Sequence, residues 1–231
     1  MQKRTLRAPF FVVNPKAYLY GDQALALAKV ADELSATHDI DILFTVQHVD
    51  AVRIKNETSN LFITVQHLDG LQVGRGMGYL LPEAVAEAGV TATFLNHAEH
   101  PMTVNELTKA VKRADELGIL TIVCADSIEE AQAVATLHPD VMVCEPTELI
   151  GTGQSSDISY MKATNDAVRA INPDIQLLQA AGISTVEDVE KALLSGADGT
   201  GGTSGIVAAD DPAQTLTDMI HKVVELKKEL K

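Results

Sequence analysis

The chain predicts an α/β protein of the (β/α)₈ barrel class, and three observations lead there. Short apolar runs alternate with amphipathic segments from one end to the other, which implies a parallel sheet. Eight such strand–helix units can be counted. The length, 231 residues, is one at which eight units close on themselves as a single barrel. The competing arrangement is an open doubly wound sheet. No linker or composition break interrupts the pattern, so residues 1–231 are expected to form one domain.

Phe10 to Val13 reads as the first strand, followed by a helix from Gln23 to Leu34 with apolar Leu25, Ala28 and Leu34. Ile40 to Val46 is the second strand, with a short helical segment from Ala51 to Asn56. Leu61 to Val65 is the third, and a glycine-rich excursion from His67 to Leu81 follows it. Pro82 then opens a helix to Ala88, since a first-turn residue has no N–H bond to lose. Val90 to Leu95 is the fourth strand, and Thr103 with Glu106 forms a capping box for a helix to Leu117, closed by Gly118. Ile119 to Cys124 is the fifth strand, and Ser127 with Glu130 suggests a second capping box opening a helix to about Leu137. Val141 to Cys144 is the sixth strand and Asp157 to Ile171 its helix. Ile175 to Leu178 and Thr185 to Leu194 form the seventh unit. Ala197 to Thr200 is a weak eighth strand, and Pro212 to Leu230 closes the chain with a Lys-rich last turn that suits the helix dipole.

A hydrophobic fraction of 46% can fill a large core, and 22% charged residues exclude a disordered chain. The formal net charge of −14, with no basic stripe, argues against nucleic acid or an anionic membrane as partner. An anionic substrate would therefore need a local positive pocket. Two cysteines, Cys124 and Cys144, each end an apolar run, which fits burial in a reducing cytosol. The run after the basic Met1-Gln2-Lys3-Arg4 is too short for a signal peptide, and none reaches transmembrane length. A cytoplasmic protein is expected.

In a parallel barrel the C-terminal strand ends share one face, where the chemistry gathers. Strand six delivers Glu145 there; Pro146 stiffens the backbone after it, and Gly151 and Gly153 supply freedom further on. A base beneath a closing lid needs such a segment, although a βα turn with a solvated Glu has the same features. Ala181-Gly182-Ile183-Ser184 and Gly201 to Gly205 follow the last two strands, where exposed N–H groups make a phosphate cradle; turn-forming glycines are the alternative. Lys16, just past strand one, would supply counter-charge, or would be an ordinary surface lysine. His97 follows strand four at the start of a helix, where N–H groups could bond one ring nitrogen and keep the imidazole neutral. His97-Ala98-Glu99-His100 lacks a recognisable metal-ligand spacing, and no metal or cofactor is expected. Gly74-Arg75-Gly76-Met77-Gly78 follows no strand-to-helix step and reads as a loop, a candidate for contact between subunits, rather than a dinucleotide motif. A carboxylate, a polarising His, a cation and a phosphate cradle together suit proton abstraction beside a carbonyl on a small phosphorylated sugar.

These residues resemble the triosephosphate isomerase family, over essentially the whole chain and in the right order, and most resemble its short, archaeal-type branch. Asn14-Pro15-Lys16 is similar to the family's Asn-X-Lys, Asn96-His97-Ala98-Glu99 to its Asn-His-Ser-Glu, and Glu145 to Gly153 to its base and lid. The resemblance implies a TIM barrel and a cofactor-free and metal-free interconversion of dihydroxyacetone phosphate and glyceraldehyde 3-phosphate. Glu145 would move the proton, neutral His97 polarise the carbonyl, Lys16 stabilise negative charge and Asn14 contact substrate. That division of labour is the family's own known arrangement, not a deduction from these residues. Backbone groups at Ile150, Gly151, Gly182, Thr203 and Ser204 would hold the phosphate, with help from Ser184, and Glu99 would support the site from behind. A homo-oligomer, dimer or tetramer, is implied as well.

The chain departs from the family at Ala98, at His100-Pro101, at Ala180 and throughout the Gly74 to Tyr79 loop. Retuning toward another phosphosugar, such as a tetrulose phosphate, would produce that pattern, and an inactive phosphate-binding barrel is a further alternative. Two near-identical phrases, Thr45-Val46-Gln47-His48-Val49-Asp50 and Thr64-Val65-Gln66-His67-Leu68-Asp69, end strands two and three. They read either as paired His and Gln contributions to the mouth or, preferably, as equivalent strand-to-loop solutions in adjacent units.

Overall fold

The computed structural model describes residues 3–146 and 156–229. Eight parallel strands close in chain order: β1 (Phe10–Val13), β2 (Ile42–Val46), β3 (Phe62–Val65), β4 (Ala92–Leu95), β5 (Leu120–Ala125), β6 (Val141–Cys144), β7 (Gln176–Gln179) and β8 (Gly199–Gly202). β8 pairs with β1, Phe10 opposite Gly199 and Val13 opposite Gly202, which rules out the open sheet. The surrounding helices are α1 (Gly21–His38), α2 (Ala51–Glu57), α3 (Pro82–Glu87), α4 (Val104–Leu117), α5 (Ile128–Ala135), α6 (Ile158–Ile171), α7 (Val186–Leu194), α8 (Ser204–Val207) and α9 (Pro212–Glu229).

Alternation along the strands divides the core in two. Phe10, Val12, Leu43, Phe62, Phe94, Ile122 and Val143 point into the barrel. Their neighbours Phe11, Val13, Ile42, Phe44 and Ile63 point outward against the helices. Below the barrel the basic N-terminal arm acts as a plug. Lys3 pairs with Asp115 at 2.8 Å and Asp140 at 2.9 Å, Arg4 stacks 3.6 Å over the Phe62 ring, and Arg7 pairs with Asp41 at 2.6 Å. The opposite, C-terminal mouth is left for the loops.

The departures from the predicted elements have local causes. β8 begins two residues later than its apolar signal, because Gly199 and Gly201 face Phe10 and Val12 with no space for a side chain. Gly201 and Gly202 consequently belong to the strand, and the short α8 follows at once. The α4 capping box forms as expected, Thr103 Oγ1 accepting from Glu106 N and Glu106 answering to Thr103 N. At α5 only half of the box forms. Ser127 accepts from Glu130 N, but the Glu130 carboxylate accepts instead from Asp126 N at 2.7 Å and Asn96 Nδ2 at 3.0 Å. α1 extends past both predicted ends and stops at Asp39, in the left-handed region at φ 50°. Leu230, the predicted end of the last helix, lies outside the described residues.

Candidate active site

Each candidate side chain is set at the mouth by the strand before it. The β1 ladder runs one residue further, Asn14 N donating to Gly202 O at 3.1 Å. Asn14 Oδ1 then accepts from Lys16 N at 3.0 Å, a two-residue turn that brings Lys16 back over the barrel. The β6 ladder likewise continues to Glu145, whose N–H donates to Ala125 O at 2.9 Å. At the end of β4, Asn96 takes a left-handed conformation (φ 58°) and ties the following turn down from both sides. Its Nδ2 donates to Cys124 O and Glu130 Oε1, each at 3.0 Å, and its Oδ1 accepts from Met102 N at 3.0 Å.

These elements surround a cavity of about 130 Å³, floored by Val12, Phe94, Cys124, Val143 and Leu178. Asn14, Lys16, His97, Glu99 and Glu145 line one part of its wall, and Gly182, Gly202, Thr203 and Ser204 another. The candidates from units one, four and six therefore share a single space with the loops after β7 and β8. Ser184 is the exception: its N–H donates to Asp188 Oδ2 at 3.1 Å and its hydroxyl to Gly182 O at 3.3 Å, and it is absent from the cavity wall. Its contribution is to hold the turn that presents Gly182. Ile150 and Gly151 lie outside the described residues.

The electrostatics follow from burial. Desolvation by the apolar floor pushes the Glu145 carboxyl up to about 7; the Lys16 charge opposes that shift and Glu99 adds to it. Burial also lowers the His97 pKa below its usual value, and Lys16 lowers it further. The neutral ring was expected from a helix N-terminus, but α4 begins only at Val104. The donor is instead the N–H of Glu99, within the turn, at 3.0 Å from His97 Nδ1. With Nδ1 accepting, the proton of a neutral ring lies on Nε2. Lys16 is only 18% exposed, which removes the surface-lysine reading, and its Nζ contacts Glu99 Oε1 at 2.6 Å. Partial burial alone would raise the Glu99 pKa, but the hydrogen bond and charge of Lys16 outweigh it and hold the carboxyl low.

Cys124 and Cys144 are both free and buried, and burial raises the pKa of each thiol. No group of three or more His, Cys, Asp or Glu side chains suited to a metal occurs among the described residues. Among the same residues no helix is long and apolar enough to cross a membrane. One contributor has no signal as a site residue in the sequence, and two more are signalled only by a repeat. Glu130 passes for a capping residue, yet it braces Asn96. Gln47 and Gln66 both donate to the Lys16 carbonyl, at 3.0 and 2.7 Å, and the repeated Thr-Val-Gln-His phrase was their only signal.

The family model described as Triosephosphate isomerase matches residues 9–223. The chain is 38% identical over 220 residues to the triosephosphate isomerase of Methanobacterium bryantii, covering 93% of this chain and 97% of that protein. It is 36% identical over 220 residues to that of Methanothermus fervidus, covering 93% and 99%. A third relative, from Methanocaldococcus jannaschii, is 36% identical over 214 residues, covering 90% and 97%.

Proposed function

The chain belongs to the triosephosphate isomerase family, and from that premise we propose that it interconverts dihydroxyacetone phosphate and glyceraldehyde 3-phosphate through an enediolate. The observation that carries this reading is the single cavity shared by Glu145, His97 and Lys16, with the backbone of Gly182, Thr203 and Ser204 across from them. Glu145, increasingly ionised as pH rises through about 7, takes a proton from the carbon beside the substrate carbonyl and returns it to the neighbouring carbon. His97 offers Nε2–H to the carbonyl oxygen as negative charge builds there. Lys16 exchanges its contact with Glu99 for the substrate's oxygens, and Asn14 adds a polar contact. The β7 and β8 loops, with Ile150 and Gly151 from beyond β6, hold the phosphate.

The substrate is thus a small phosphorylated sugar, with neither metal nor cofactor required, and nucleic acid is not a partner. Self-association as a dimer or tetramer is part of the proposal, supported by exposed Val73, Met77 and Tyr79 on the loop after β3. Free, buried cysteines fit a cytoplasmic setting. A second reading, isomerisation of a four-carbon phosphosugar, draws on Ala98 and Ala180 at the site's edge. The test is an assay of triose and tetrose phosphates with and without a chelator. Highest kcat/KM on the triose phosphates, unchanged by the chelator, is expected. Preference for erythrose or erythrulose phosphate would transfer the assignment to the second reading, and activity on neither would leave an inactive barrel.

A further inference from the structure

Lys16 sits in the left-handed backbone region, at φ 46°. A lysine rarely adopts that conformation, because its Cβ crowds the following carbonyl, and surrounding contacts must impose it. Hydrogen bonds on both sides of the residue do so. The Lys16 N–H is taken by Asn14 Oδ1 at 3.0 Å, while its C=O accepts twice, from Gln66 Nε2 at 2.7 Å and Gln47 Nε2 at 3.0 Å. Gln47 Nε2 also donates to Gln66 Oε1 at 3.3 Å, so each amide fixes the other's orientation. The two glutamines come from equivalent positions after β2 and β3, within the repeated Thr-Val-Gln-His phrase. The register that sets Thr45 beside Thr64 and Val46 beside Val65 brings the two amides to one oxygen atom.

We infer that Gln47 and Gln66 are positioning residues for the reaction: a paired clamp on the Lys16 carbonyl holds that peptide in its left-handed conformation and so aims the ammonium into the cavity. Neither glutamine lines the cavity that holds Glu145; Gln66 lines an adjoining one with Lys16, His97 and Glu99, but both amides are engaged on the Lys16 carbonyl, so they act through Lys16. The repeated phrase is thereby more than two similar loop solutions. If the peptide relaxed to an ordinary conformation, the long side chain would leave from a different direction. Displacing a reacting group by about 1 Å can cost on the order of 10²-fold in rate.

This inference rests on the proposed role of Lys16, and the test separates the two. Gln66→Leu, Gln66→Glu, Lys16→Ala and the Lys16→Ala/Gln66→Leu double variant are compared with the parent chain. The readouts are kcat and KM for glyceraldehyde 3-phosphate, the inhibition constant of inorganic phosphate, and Tm. Gln66→Glu is included because it preserves size and polarity while removing the donor, should the leucine variant fold poorly. The expected results are a fall of about tenfold or more in kcat/KM for either Gln66 variant and a weakened inhibition by phosphate. On the Lys16→Ala background the same Gln66 change should cost less than about twofold, because its object is gone. A Gln66→Glu variant with kcat and KM unchanged, or an equal loss with and without Lys16, would overturn the clamp while leaving Lys16 in place. Near-full activity in Lys16→Ala would overturn the role of Lys16, and the clamp with it.

Discussion

Glu145 stands where water solvates it poorly, and its carboxyl titrates at about 7 instead of near 4.5. The consequence for stability has a definite sign. Between about pH 4.5 and 7 the folded chain holds a proton on this group that the unfolded chain has lost, so stability falls as pH rises through that window. Above it the ionised base costs the fold something that a neutral amide would not. Glu145→Gln is therefore expected to raise stability by roughly 1–3 kcal/mol at pH 8, with much of that gain gone at pH 4.5, even though activity is lost. Denaturant melts at the two pH values check this, and an equal effect at both would contradict it. The same titration predicts a kcat/KM that rises with pH through an apparent pKa of about 7, the range in which the base becomes available. The identity of this residue could be read from the chain; its pKa could not, because it depends on which apolar side chains the barrel brings beneath it. Sequence placed the His97 acceptor contact at a helix start, whereas the donor is a turn N–H two residues away. Nothing in the spacing distinguishes those sources.

Among the elements, β8 illustrates best how packing overrides the apolar signal. Its residues are Gly-Thr-Gly-Gly, a poor strand by propensity, and it closes the barrel because it is thin. A Cβ on Gly199 would lie 2.3 Å from the Phe10 ring, which is itself fully buried. Gly199→Ala is expected to destabilise the fold by about 1–3 kcal/mol through overpacking, measured as a lower denaturation midpoint. Gly205→Ala tests the site more than the core. Its Cβ would meet Ile183 O at 2.4 Å and Ser184 Cα at 2.6 Å, forcing the β7 and β8 loops apart. We expect KM to rise by about tenfold, with a smaller change in kcat, because the loops that receive the phosphate no longer converge. The capping box at Thr103 was legible three residues ahead, since the motif is local, whereas the one that Thr185 forms with Asp188 is a finding of the structure. The box read at Ser127 forms only by half, because Asp126 N and the distant Asn96 take up the Glu130 carboxylate. Long-range competition of that kind leaves no mark in a short sequence window.

The whole molecule has two ends with different work. The N-terminal end is shut by ion pairs of Lys3 and Arg7 and serves the fold, while the C-terminal mouth gathers the residues proposed for chemistry. The alternating pattern foresaw the barrel, and the strand ends foresaw that Lys16, His97, Glu145 and Gly182 share one cavity, though not that Ser184 stays out of its wall. What could not be foreseen was how a basic residue is aimed inside a chain of net charge −14, since that rests on amides from two neighbouring units. At this scale the loop after β3 also carries a prediction. Met77 is almost fully exposed, with Val73 and Tyr79 close by in sequence, and Met77→Glu is expected to shift sedimentation toward the monomer. An unchanged profile would contradict the proposal that this loop mediates self-association.

The central claim is that Glu145 carries a proton between two substrate carbons within a cavity shared with His97 and Lys16. Its most direct test is the rate at which solvent deuterium enters dihydroxyacetone phosphate beside the carbonyl, followed by NMR in D₂O for the parent chain and for Glu145→Gln. The account predicts ready exchange by the parent and a loss of about 10²–10⁴-fold in the variant. Exchange in Glu145→Gln within tenfold of the parent would mean that another group moves the proton.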